Sequence, residues 1–188
     1  MRAVAVGALL SVTLAGCLTT ENYTVTASDA VKTLPQACAY RATFPVGIHF
    51  AERPVPAALG DTQAALLTGY ADGRTYEMGC VCKERMNPAM LNKATGDKFI
   101  SDALDGRAAP KNVRYSLNSD PKFIEYDYEG MGFGGSVAGS GKMIATERCV
   151  ENFMITARTV GDPEYATFIT AIHPASQVAR GPDPRTAE

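Results

Sequence analysis

Residues 64–84 read AALLTGYADGRTYEMGCVCKE, and the reading of this stretch decides the fold. Asp72-Gly73 separates two strand-like runs, and Asp-Gly in that position is a strong hairpin signal because both central residues of the favoured tight turn need a left-handed backbone. Beyond the turn, Tyr76, Met78, Cys80 and Cys82 recur with a period of two, which places them together on the apolar side of a strand.

The same alternation extends in both directions along the chain. In ACAYRATF (37–44), Cys38, Tyr40, Ala42 and Phe44 share one face, with Arg41 and Thr43 on the other. GIHFAE (47–52) follows Pro45, and NVRYSLNS (112–119), KFIEYDYEG (122–130), GKMIATER (141–148) and CVENFMITART (149–159) come later. These make about eight strands joined mostly by short turns, which predicts an antiparallel sheet.

Two helices interrupt the strands. Asn87-Pro88 reads as a cap followed by proline at the first helical position. Met90, Leu91, Ala94, Phe99, Ile100, Ala103 and Leu104 then form an apolar stripe, with a break expected at Gly96 and an end at Gly106. The second helix opens at Asp162-Pro163, carries Tyr165, Phe168, Ile169 and Ile172 at helical spacing, and stops at His173-Pro174. Strands, helix, strands and a final helix predict an α+β domain with the helices packed on faces of one antiparallel sheet. Element order and the early Phe44-Pro45 make residues 36–174 resemble PsbP-like domains. That resemblance implies an α/β/α sandwich that serves as a binding or assembly module, usually without catalysis.

Four cysteines lie in this region: Cys38, Cys80, Cys82 and Cys149. Cys149 shares its strand face with Phe153, Ile155 and Ala157, so all four point to the predicted apolar side. An even number in an exported chain favours two disulfides. A Cys80–Cys82 bridge has the poorest geometry, since two residues along a strand lie ~6.6 Å apart. One of the two is therefore expected to join Cys38 and the other Cys149. Buried thiols, a Cys-x-Cys zinc or copper(I) site and a redox pair are the competing readings.

Export is read from the start of the chain. Met1-Arg2 precedes an apolar run from Ala3 to about Leu14, too short for a bilayer span of ~20 residues. The run ends in Leu14-Ala15-Gly16-Cys17, which resembles the lipobox of bacterial lipoproteins. The resemblance implies cleavage before Cys17 and diacylglycerol on its thiol, with further acylation for stable anchoring. Leu18 stands where inner-membrane retention in many such lipoproteins wants Asp, so the expected place is the periplasmic face of the outer membrane. The expected organisation is a signal peptide at 1–16, a lipidated N-terminus and tether at 17–35, one globular domain at 36–174 and a loose tail at 175–188.

The remaining motifs argue against specific chemistry. After removal of the leader, 17 basic residues stand against 20 acidic ones, which gives no basic footprint for nucleic acid. Gly130-Met131-Gly132-Phe133-Gly134-Gly135 fits a phosphate-loop pattern, but no helix follows, so 130–141 reads as a mobile hairpin loop. Met131 and Phe133 at its tip are the candidate docking residues. Glu125, Asp127 and Glu129 alternate with Ile124, Tyr126 and Tyr128 and read as a solvated strand face. His49 and His173 read as structural, the latter at a helix end, and no hydrolase motif is present. No catalytic residue, cofactor or metal site is assigned. The expected function is a lipid-anchored, non-catalytic binding or assembly module of the cell envelope. Its anchor is Cys17 and its partner is another envelope protein. A carrier of a small apolar or metal ligand is the second reading, and an enzyme of unrecognised class the third.

Overall fold

The turn at Asp72-Gly73 forms as its chemistry requires, with φ of 50° and 74° at the two residues. It joins β4 (Gln63–Ala71) to β5 (Arg74–Cys82) in unbroken antiparallel register from Ala71↔Arg74 to Gln63↔Cys82. The computed structural model describes residues 24–26, 38–52, 63–83, 87, 89, 91–132 and 135–175. The predicted signal peptide, Cys17, Leu18, Pro88, Met90, Phe133, Gly134 and most of the predicted tail lie outside these residues.

Around that hairpin stand β1 (Thr24–Thr26), β2 (Tyr40–Ala42) and β3 (His49–Glu52). After it come α1 (Lys93–Leu104), β6 (Ala108–Ser116), β7 (Lys122–Gly132), β8 (Gly135–Ala145), β9 (Cys149–Ala157), α2 (Pro163–Thr170) and β10 (Ile172–Pro174). Eight strands form one sheet in the order β1-β3-β4-β5-β9-β8-β7-β6, and β10 pairs with β2 in a small second sheet. All pairings are antiparallel. The expected α+β class is the one observed.

Strand parity separates two cores on opposite faces of the large sheet. On one face Phe50, Leu67, Tyr76, Met78, Phe153 and Ile155 pack under Tyr165, Phe168 and Ile169 of α2. On the other, Ile124, Tyr126, Tyr128, Met143 and Met154 pack under Leu91, Ile100 and Leu104. Among the described residues, one helix therefore covers each face. Among the described residues, no helix is long and apolar enough to cross a membrane.

Several boundaries differ from the sequence reading. The first helix begins at Lys93 rather than after Asn87, because Asn92 and Thr95 form a reciprocal capping box. Asn87 caps only a short turn, accepting from the Ala89 N–H at 3.0 Å. Gly96 does not break α1. It is buried where a Cβ would collide with Ile124, so glycine lets the helix lie close on β7. The helix ends as expected, with Asp105 and Gly106 both left-handed.

The second helix starts at the expected Asp162 cap but stops at Thr170. Ile172 and His173 belong to β10, because the chain turns at Ala171 to pair with β2. Within the stretch read as a tether, the β-branched run Thr24–Thr26 pairs with β3. Residue 175, placed in the tail, is held through its N–H to the Ala39 carbonyl at 2.7 Å.

The largest correction concerns the Gly-rich run. Residues 130–132 and 135–141 are strand rather than loop: β7 and β8 pair continuously to Gly132↔Gly135. The glycines serve the sheet. Tyr126 and Tyr128 lay their rings across Gly141 and Gly139 of the neighbouring strand, where a Cβ would strike them. This is glycine covered by a cross-strand aromatic. Tyr128 Oη then donates to the Ile155 carbonyl at 2.9 Å and Tyr126 Oη to Asn152 Oδ1 at 3.1 Å, binding β7 to β9 across β8. Burial pushes both phenol pKa values up. A methyl at position 139 would also meet the Ile155 backbone carbonyl, which cannot rotate away. Gly139→Ala is accordingly expected to cost about 1–3 kcal/mol in urea unfolding. A cost under ~0.5 kcal/mol, the level of an ordinary surface change, would mean that the tyrosine ring does not occupy this space.

Candidate functional site

Three regions of the same sheet face carry the chemistry, and the first is the cysteine cluster. Cys82 lies opposite Cys149 in the β5–β9 register, and Cys80 lies opposite Glu151. The disulfides are Cys38–Cys80 and Cys82–Cys149, with Cα separations of 6.2 and 4.1 Å. Each of Cys80 and Cys82 thus takes a separate partner, as the strand geometry requires. The two bridges touch: Cys80 Sγ is 3.3 Å from Cys82 Sγ, and Cys38 Sγ is 3.9 Å from Cys82 Sγ. All four are at most 2 % exposed, and in the paired form none of them offers a thiolate.

Beside them sits Glu151, which the sequence reading did not single out. It is only 1 % exposed. Its Oε1 accepts from the Ala39 N–H at 2.6 Å, and its Oε2 accepts from the Tyr40 N–H at 3.1 Å. Burial pushes the Glu151 carboxyl up to about 7, against the opposing pull of these two N–H groups and of Arg41. The Arg41 guanidinium donates to the Cys38 and Tyr40 carbonyls, both at 2.7 Å. The carboxylate and the Cys38–Cys80 bridge together pin residues 38–41 onto the end of the sheet. The legible signal was parity: Glu151 is an acid on the apolar face of CVENFMIT, between Cys149 and Phe153.

The second region is a cleft of about 560 Å³ between α2 and strands β6 to β8, lined among others by Arg114, Glu125, Asp127, Ser140, Val160 and Ile169. Of the acids read as a solvated face, Glu125 and Asp127 are half-buried and partnered here, while Glu129 is exposed as expected. Lys142 Nζ lies 2.9 Å from Glu125 Oε1. Asp127 accepts from Ser140 Oγ at 2.6 Å and from Asn112 Nδ2 at 3.1 Å. Arg114 Nε lies 3.5 Å from Glu125. Charges so matched hold a surface in shape.

The third region lies at the other side of α2, in a cleft of about 300 Å³ floored by Tyr76 and walled by Phe44, Pro45 and Phe168. Arg74 binds the cap residue Asp162 through two contacts, Nε–Oδ2 and Nη2–Oδ1, each 3.0 Å. This bidentate pair fastens the start of α2 to the start of β5 and holds the Asp162 carboxyl below its usual range.

The remaining candidates fall apart in space. Met131 stands at the β7–β8 hairpin tip, 71 % exposed, while Phe133 lies outside the described residues. His49 is exposed on β3. His173 is part of β10 and not a helix end, with Nδ1 2.7 Å from the Ala171 carbonyl. No protein-family model matches the chain, and no curated protein matches it.

Proposed function

We propose that this chain is a lipid-anchored protein of the bacterial cell envelope whose α+β domain binds another envelope component without catalysis. The observation that carries this reading is the β7–β8 hairpin. Its two strands are paired over their whole length, buttressed by Tyr126 and Tyr128, and they carry the exposed Met131 at their tip. A large apolar side chain held out on a stiff arm is suited to insertion into a partner. The lipobox at Leu14-Ala15-Gly16-Cys17 supports the anchor, and Leu18 supports the periplasmic face of the outer membrane. The PsbP-like comparison gains support from the layering, with one helix on each face of the sheet.

Cross-linked capture from intact cells tests the reading, comparing wild type, Cys17→Ser and Met131→Ser, with the mass of the N-terminal peptide read in the same run. A diacylglyceryl Cys17 and a partner lost in both variants are expected. An unmodified Cys17 would remove the anchor, and capture unchanged by Met131→Ser would remove the hairpin from the interface. A second reading, a carrier of a small ligand, is favoured by the two clefts that flank α2.

A further inference from the structure

The smaller cleft holds a polar group that the fold itself leaves unanswered. Tyr76 is fully buried, yet its hydroxyl has no hydrogen-bond partner among the described residues. A buried hydroxyl in that state opposes folding unless something completes it. The other buried tyrosines with comparable surroundings are satisfied: Tyr165 Oη lies 2.7 Å from the Thr159 carbonyl, and Tyr128 and Tyr126 reach β9.

The charges around the Tyr76 hydroxyl indicate what would complete it. It lies in the field of Glu164, Arg74, Asp72 and Asp162. Arg74 is consumed by its bidentate pair with Asp162. Glu164 and Asp72 line the cleft; Glu164 acts on Arg74 through charge, and neither carboxylate has a side-chain hydrogen bond or ion pair among the described residues. The mouth is therefore negative and rich in acceptors, while Phe44, Pro45 and Phe168 make its walls apolar. Phe44, Tyr76 and Phe168 are fixed by mutual ring contacts, with centroids 5.3 to 6.1 Å apart. A volume near 300 Å³ is at the small end of ligand sites.

We infer that this cleft binds a small primary ammonium compound with a compact apolar body, its nitrogen on the Glu164 carboxylate and, once the side chains that cover it part, also on the Tyr76 hydroxyl below the cleft floor. An ammonium group offers three donors and no acceptor, which matches two acceptors of this kind and disfavours an anion. The apolar body packs against Phe44 and Phe168. The inference rests on the small-ligand reading and is independent of the anchor and of the hairpin.

Benzylamine is the probe, titrated into the full-length protein in non-ionic detergent and followed by amide NMR, with phenylacetate and benzyl alcohol as matched anionic and neutral controls. Saturable shifts at Arg74, Glu164 and Phe168 are expected with a dissociation constant on the order of millimolar. Glu164→Gln is expected to weaken benzylamine binding about tenfold, the value of a charge-assisted hydrogen bond. Tyr76→Phe is expected to weaken it as well, while raising the melting temperature of the free protein by a few degrees because the orphaned hydroxyl is gone. Met131→Ser should leave the titration unchanged. Phenylacetate or benzyl alcohol binding as well as benzylamine would overturn the ammonium class and leave the carrier reading standing. No saturable shift with any of the three would overturn both for this cleft. Should Tyr76→Phe fail to fold, Glu164→Gln on the outer turn of α2 decides the matter alone, and an unchanged dissociation constant there overturns the inference.

Discussion

Replacing Cys82 and Cys149 together by alanine is expected to lower the unfolding free energy by about 2–5 kcal/mol. The bridge closes a loop with a sequence separation of 67, for which the chain-entropy model gives ~4 kcal/mol. It also joins the two central strands β5 and β9 at the end of their ladder, where Cys82 and Cys149 are directly paired. Urea unfolding followed by circular dichroism measures the loss, and a cost below ~1 kcal/mol would mean that the pair does not constrain the unfolded chain. The single variant Cys149→Ala is more revealing. It leaves a Cys82 thiol 3.9 Å from Cys38 Sγ. Once deprotonated, that sulfur can attack Cys38, forming Cys38–Cys82 and releasing the Cys80 thiolate, with no external oxidant. Peptide mapping is expected to find Cys38–Cys82 beside Cys38–Cys80. A single Cys38–Cys80 species would mean that burial keeps the Cys82 thiol protonated.

These sulfurs mark how far local pattern carried the reading. Parity alone placed all four cysteines on one side and kept Cys80 from Cys82, because both facts depend only on the period of a strand. Which of the two meets Cys38 depends on where residues 38–41 cross the sheet, and that is set by Glu151 and by the β2–β10 pairing. Both are long-range. The hairpin at Asp72-Gly73 and the cap at Asp162 were legible for the same local reason, since the turn and the helix start are written in adjacent residues. Asn87 misled because Asn-Pro is a good cap in isolation, whereas Asn92 has the reciprocal partner Thr95. The glycines of 130–141 misled more seriously. Their composition reads as a loop until Tyr126 and Tyr128 are placed across Gly141 and Gly139, and cross-strand register is not visible in one strand. The orphaned Tyr76 hydroxyl had no local signature. Its alternation with Met78 and Cys80 correctly sent it to the core, and only the packed surroundings reveal that its oxygen found no donor or acceptor among the described residues.

Stability is expected to fall as pH rises from about 4.5 to about 7, and Glu151 is the reason. Its carboxyl titrates near 7 in the folded protein, against an ordinary value of 4.5. Below 4.5 the group is protonated in both states, and its favourable contribution is fully present. Between the two values the unfolded chain releases the proton while the folded protein keeps it, so the unfolded state binds fewer protons and stability declines with pH. Each pH unit across this window is worth ~1.4 kcal/mol, which puts the full loss at about 3 kcal/mol. The group is nearly inaccessible, so solvent screening does little to reduce the figure. The structural seat of the effect is narrow: ionisation buries a charge whose described partners are the Ala39 and Tyr40 N–H groups, with Arg41 nearby. Glu151→Gln retains an acceptor for those N–H groups and removes the titration. Unfolding free energies measured from pH 4.5 to 7.5 should therefore slope downward in wild type and flatten in the variant. The variant is expected to be the more stable of the two at pH 7.5, because a neutral amide replaces a buried charge. Parallel slopes in the two proteins would assign the pH dependence to another group and leave Glu151 with only its role as a clamp on residues 38–41.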